Sequence, residues 1–412
     1  MTIEKKEKAD LIIVGAGILG ASTAYYYKRD NPDREVLVVE KNELCSGNTS
    51  LAAALMSRAR ADRNAIPLST ETYEIIPELE KLTTDKIPVR YNGAIHIASD
   101  EVSEKNLSSI LSGLTDYGIE WEYITEHQAR SLVRWLECTN SSRIAFISGE
   151  AITDPYLLCM AFINASKKLG VKYLRNVEVI QLLKSENVVY GILTKDGKIE
   201  APNTVLAAGA WSTKLAFEAG ISLPMAAIRS QYWISEPLLN VFNPDDPVVI
   251  IPGAGFYARP QGNSLLFGVR EQQSVYTSPD KLPDKIEDHM FSNDNGIKDL
   301  IDNFRKIIPF FPSFGDTGIK NYIAGFSCYT PDNLFIAGRI NETEGLLTVT
   351  GCCGAGISAA GGLGRGVALL AAQKPNPFDF SNYSPDRFGQ INPFSEEHMI
   401  KCGLSRSAKT SG

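Results

Sequence analysis

The segment LIIVGAGILG, residues 11–20, constrains the chain more than any other stretch. Leu11 to Val14 is a short apolar, β-branched run. Gly15, Gly17 and Gly20 follow in GxGxxG spacing and open an Ala/Tyr-rich stretch of helical character that continues to about Arg29. Glycines so placed permit a tight strand-to-helix turn and let the backbone approach a pyrophosphate lying on the helix N-terminus. The next apolar strand, EVLVVE, ends at Glu40, where a carboxylate can accept hydrogen bonds from adenosine ribose hydroxyls. A tight packing turn would account for a lone GxGxxG. Strand, fingerprint, helix, strand and acid in this order predict a dinucleotide site, and an acid at Glu40 in place of an arginine disfavours NADP.

An NAD site of this type would continue into more βαβ units, and this chain does not. Glu40 is followed by KNELCSGNTSLAAALMSRARADRN, a loop of small and hydroxyl residues leading to arginines. Small side chains let a backbone lie flat against a broad planar ring; an ordinary flexible loop with a helix cap at Thr49 or Ser50 reads equally well. Residues 171–211 alternate as a β-meander with an Asp196-Gly197 hairpin turn, and run into Ala207-Ala208-Gly209-Ala210-Trp211. Such meanders pack under the adenine half of FAD. A second glycine turn, LLTVTGCCGAGISAAGGLGRGVALLA at 346–371, places Gly354, Gly356 and Ala359 in GxGxxA spacing after a strand. Its helix runs into QKPNPFDF without a further strand or acid, so a second dinucleotide unit is excluded by length.

A chain of 412 residues, 44% hydrophobic, predicts two domains. The formal net charge of −7, spread along the chain, argues against nucleic acid and for a small-molecule ligand. Seven cysteines without a CxxC pair suggest neither a disulfide framework nor a metal site, which fits a reducing cytosol and a cytoplasmic protein. The polar start MTIEKKEKAD and the glycine-broken apolar run behind it predict no signal peptide and no transmembrane helix. From about Pro375 the chain turns polar, and a surface tail fraying at its end is expected.

The landmarks GAGILG, GNTS, YNGAIHIA, EAITDP, AAGAWS, IRSQ, FYARPQGNSLLFG, CYTPDNLFIAGR and GCCGAGIS stand in an order that resembles the FAD-dependent amine and amino-acid oxidase family, over roughly residues 10–372. That family includes sarcosine oxidase, glycine oxidase, dimethylglycine dehydrogenase and D-amino-acid oxidase. The resemblance implies an α/β fold of glutathione-reductase type: a discontinuous Rossmann-type FAD-binding domain at 1–88, 145–225 and 325–375, and an α+β substrate domain with a β-sheet at 89–144 and 226–324. Residues 376–412 are left as a C-terminal tail. It implies FAD contacts from Gly15, Gly17, Ile18, Leu19 and Gly20, from Glu40 and Lys41, and from Asn48, Thr49, Ser50 and Leu51. Further contacts are implied for Val179, Ala208, Gly209, Trp211 and Gly338, and for Gly354, Ala355, Gly356 and Ile357. The second glycine turn then returns to the first domain with its helix N-terminus towards the flavin pyrimidine edge, where a positive dipole stabilises reduced flavin.

The implied activity is hydride removal from the C–N bond of an amino acid or N-alkyl amine. Oxidation of a 2-hydroxy acid or glycerol phosphate on the same scaffold stays open, as does a flavoprotein subunit with a partner subunit. Arg58 resembles the family's carboxylate-binding arginine, with Arg60 and Arg63 as weaker versions. On the predicted strand FYARPQG, Tyr257 and Arg259 share a face and could anchor a carboxylate, or could equally be a surface pair; Arg229 and Gln231 share the same alternation. Leu51 stands where dimethylglycine dehydrogenase-like relatives carry a flavin-linked histidine, and Gly325 where monomeric sarcosine oxidase carries a flavin-linked cysteine, so noncovalent FAD is expected. Leu266, Ser358 and Ser327 replace family cations, which disfavours sarcosine and glycine as substrates and favours a dehydrogenase with a quinone or protein acceptor over an oxidase. The four histidines, His96, His127, His289 and His398, are expected to be structural or exposed.

Overall fold

The structure, a computed structural model, describes residues 7–138, 143–289 and 291–409. The first six residues of the polar start and the last three of the expected frayed tail lie outside the described residues.

Leu11–Val14 is fully buried because it is a central strand of a six-stranded sheet in the order 336–339, 346–350, 203–206, 11–14, 36–39, 172–174. All neighbours are parallel except the edge strand Ile336–Arg339. Alternation divides its side chains between two cores. Leu11, Ile13, Val36 and Val38 join the cluster that contains Tyr25, Leu68, Phe162 and Leu363 from the helices Ile18–Asp30, Ala65–Thr83, Pro155–Lys168 and Ala360–Ala371. Ile12, Val14, Leu37 and Val39 face Leu182, Val189 and Ile192 of the meander instead. The meander strands 179–185, 188–194 and 197–200 are antiparallel, with the turn at Asp196-Gly197.

The glycines after the second turn serve close packing. A Cβ at Gly361 would lie 2.7 Å from the Thr72 backbone, and one at Gly364 would collide with Ser22, so Ala360–Ala371 can press against two helices at once.

The second sheet runs 276–277, 226–235, 264–269, 256–261, 248–251, 94–98, 143–147, 121–123, with Ile319–Tyr329 also paired to Ala226–Ser235. The domain limits expected at 145 and 325 therefore fall inside strands, Arg143–Ile147 and Ile319–Tyr329. An aromatic core of Trp233, Phe256, Phe267, Phe311 and Phe314 fills one face.

Two expectations need correction. The C-terminal segment is not merely a surface tail: Ser395 caps a helix, Glu396–Ser407, whose Met399 and Cys402 bury against Ala226, Ile228, Tyr329 and Cys353. Its polar composition hides an apolar stripe at i, i+3 spacing. Cys45 and Cys159 form a disulfide with Cα atoms 6.5 Å apart and a sequence separation of 114, a pairing that no local spacing reveals.

Candidate active site

One cavity of about 670 Å³ is lined by residues of both sheets, within the range of cofactor and ligand pockets. At one end the fingerprint turn forms its wall. Gly15 has φ +106° and passes so close to Ala207 that a Cβ would sit 2.6 Å from that carbonyl oxygen, a position only glycine tolerates. Gly17, Ile18 and Leu19 line the cavity. Gly17 has no side chain with which to cap its helix, and the Thr49 hydroxyl does so from the following loop, accepting from the Ile18 N–H at 3.1 Å. The Glu40 carboxylate lines the same end and accepts from the Ala16 and Asn42 N–H groups, both at 2.9 Å. Lys41 lies 4.4 Å over the Trp211 ring; burial holds its amine below the ordinary lysine value. Val179, Ala208 and Gly209 complete this wall.

Towards the other end stand Asn48, Leu51, Gly325, Gly354, Gly356 and Ile357. The Asn48 carboxamide bonds both backbone groups of Phe326, accepting from its N–H at 2.7 Å and donating to its carbonyl, and so pins the loop to the second sheet. A Cβ at Gly325 would lie 2.8 Å from Asn48 Oδ1 and 3.1 Å from Leu51 Cδ1.

Four of the residues expected to touch the cofactor do not line the cavity. The missing Cβ of Gly20 is required inside the fold, where it would collide with the Gly15 carbonyl. Ser50 bonds the Gly47 carbonyl at 3.0 Å, Gly338 is on the edge strand beside Pro385, and Ala355 is buried within its own turn.

The basic candidates separate sharply. Arg58 is off the cavity: its guanidinium donates to the Gly149 carbonyl at 2.7 Å and stacks 4.6 Å over Tyr73. Arg60, the weaker candidate, lines the cavity and donates to Ser358 Oγ at 3.1 Å. Tyr257 and Arg259 do share a face. Tyr257 lines the cavity, in space that Gly268 leaves for its ring, and burial raises its phenol pKa. Arg259 stops beneath it, tied to the Ala53 and Pro260 carbonyls and to Gln261 at 2.6 to 2.9 Å. Gln231 lines the cavity, and with Arg229 it holds Asp299.

Sequence reasoning missed Arg270, Arg406 and Lys409, which also line the cavity. Arg270 directly follows the strand Ser264–Val269; Arg406 and Lys409 come from the C-terminal helix and its end. Arg406 pairs with the buried Glu271 at 3.0 Å, and Lys409 Nζ donates to the Cys353 carbonyl at 2.9 Å. An alternation count past LLFGV could have found Arg270; nothing local marks the other two.

His96 is buried beside Arg60, and burial first, then that guanidinium, lowers its pKa to about 4. Among the described residues no group of three or more potential ligands could hold a metal, and no helix is long and apolar enough to cross a membrane.

A glycine turn at a helix N-terminus, an acid on the adjoining strand and a second glycine turn on the same cavity define a dinucleotide flavoprotein. The family described as FAD dependent oxidoreductase matches residues 10–370, and the chain belongs to it. Its cofactor is FAD. Mitochondrial dimethylglycine dehydrogenase of Mus musculus is 24% identical over 394 residues, 94% of this chain and 45% of that protein. The 4-methylaminobutanoate oxidase (formaldehyde-forming) of Paenarthrobacter nicotinovorans is 24% identical over 404 residues, 96% of this chain and 48% of that one. The chain thus spans less than half the length of these curated relatives. Among solved structures, L-proline dehydrogenase from P. horikoshii superposes with a TM-score of 0.81 at 22% identity, covering 94% of this chain and all of that one. Glycine oxidase from Geobacillus kaustophilus gives 0.77 at 22% identity, with the same coverage.

Proposed function

We propose that the chain oxidises the C–N bond of an amino acid or N-alkyl amine, and that the imine formed is then hydrolysed. Bound FAD supplies the hydride acceptor. The fingerprint end, with Ile18, Thr49 and Glu40, holds the dinucleotide; Tyr257 and the Arg60–Ser358 pair orient the substrate beyond it.

The observation that carries this reading is the chemistry of the second end. Arg60, Tyr257, Arg270, Tyr329, Arg406 and Lys409 line it, whereas the acids that line the cavity are Glu40, Glu178, Glu218, Asp280 and Asp284, from the fingerprint unit, the meander, the helix Ser212–Glu218 and the 280s loop. Guanidinium groups suit a carboxylate. Oxidation of a hydroxyl calls for a positioned base to take its proton, while an amine presented neutral does not. The described lining of the second end contains no carboxylate and no histidine.

Leu266, at the place of the family's oxygen-activating lysine, is buried and does not line the cavity, which supports a dehydrogenase passing electrons to a quinone or to a protein partner. The five free cysteines speak for a cytoplasmic setting, whereas the Cys45–Cys159 disulfide counts against it.

Anaerobic stopped-flow mixing of the FAD-loaded protein with D- and L-amino acids, N-methyl amino acids and 2-hydroxy acids tests the reading. Bleaching near the ~450 nm flavin band by an amine class supports it, and the rate of reoxidation by air separates oxidase from dehydrogenase. Bleaching by hydroxy acids alone would overturn it.

A further inference from the structure

The second end of the cavity is electrostatically incomplete. Arg60, Arg270, Arg406 and Lys409 all line it. Glu271, wholly buried, pairs with Arg406, and Glu150, also buried, accepts from the Arg58 N–H at 2.7 Å from outside the lining. The cations thus exceed the acids set among them. Buried charges are costly unless opposite charges offset them, so the excess of cations favours the entry of an anion.

One carboxylate does not use the whole set. A carboxylate pairs well with a single guanidinium, and the Arg60–Ser358 pair offers that. Arg270 stands apart from it, with no hydrogen bond or ion pair from its side chain among the described residues. Lys409 donates one of its three N–H groups to the Cys353 carbonyl and keeps the others.

We propose that this site takes a substrate bearing two carboxylates, an N-alkyl or unsubstituted amino dicarboxylate, and that Arg270 and Lys409 bind the second carboxylate. The C-terminal helix, through Lys409 and the Arg406–Glu271 pair beside it, is thereby a specificity element. The proposal rests on the C–N oxidation reading for the reaction but not for the charge of the ligand. Crowding supports it: burial, then Arg60, Arg270 and Arg406, hold the Lys409 amine well below the ordinary lysine value, and burial, then Arg406, brings Arg270 to about 10. An entering dianion opposes both shifts and favours the charged forms of the two side chains.

The test titrates FAD-loaded protein with non-reacting succinate and glutarate, and with butyrate and valerate, at fixed ionic strength. Perturbation of the flavin absorption reads binding. The diacid is expected to bind at least about tenfold tighter than the monoacid of equal length, and the ratio to fall to about one in Lys409→Met and in Arg270→Met. Equal affinity for diacid and monoacid, or a ratio that neither variant changes, overturns the proposal. The two readings fail separately. Preferential diacid binding without bleaching by any amine removes the C–N reading alone; bleaching by amines without diacid preference removes the charge match alone.

Discussion

The Thr49 hydroxyl accepts a hydrogen bond from the backbone N–H of Ile18 at 3.1 Å, so the cap of the fingerprint helix comes from a loop some thirty residues further on. Dinucleotide end and flavin-side loop are thereby joined by one contact. Thr49→Val should lower Tm by about 2 °C, from a lost cap of about 1 kcal/mol, and weaken FAD about fivefold. Thr49→Ser should restore both. Differential scanning fluorimetry and flavin-release titration check this; an unchanged FAD affinity in the valine variant would show the contact to be structural only.

His96 gives the fold a dependence on acid. Its folded pKa of about 4 lies below its ordinary value of 6.5, so the unfolded chain binds more protons between those limits. Stability contributed by the neutral ring is complete above pH 6.5 and is lost as pH falls towards 4, up to about 3 kcal/mol. The difference in chemical-denaturation stability between wild type and His96→Asn isolates this, because groups common to both cancel. A difference that stays flat from pH 7 to about 4 contradicts the assignment.

Flavin should leave the protein intact on acid precipitation. Leu51 offers no linking atom, and Gly325 is hemmed in by Asn48 and Leu51 so that a side chain there has no room. All absorbance in the supernatant and none in the pellet is the expected result; a yellow pellet would point to linkage through another residue of the cavity, such as Cys352.

Alkylation of the denatured, unreduced protein should modify five of the seven cysteines, leaving Cys45 and Cys159 unmodified. Peptide mass mapping with and without prior reduction reads the pair directly. Seven modified cysteines without reductant would show the two thiols merely adjacent.

Much of the dinucleotide end was legible because its signals are local. Gly15, Gly17 and Glu40 lie within one βαβ unit, where spacing alone fixes their relation. Legibility fell where a residue's task depends on distant backbone. Gly20 carries the same letter as Gly15 and Gly17 but faces inward, and Asn48 lines the cavity while its carboxamide is held by Phe326, far along the chain. Arg58 and Arg60 alternate on one loop; which of them reaches the cavity is decided by Gly149 and Ser358, neither of them near in sequence. Arg406 and Lys409 were hidden most completely, because a polar segment after the last family landmark gives no sign that it folds back.

The order of strands in the six-stranded sheet has a consequence for how the protein is made. Leu346–Thr350 pairs with Asn203–Leu206, which pairs with Leu11–Val14, so the sheet beside the cavity draws neighbours from both ends of the matched region. During synthesis, Leu11–Val14 leaves the ribosome long before the last of these strands exists, with an apolar edge and nothing yet to cover it. Nascent chains of this kind are natural clients of chaperones, and cofactor capture is deferred until almost the whole matched region has emerged.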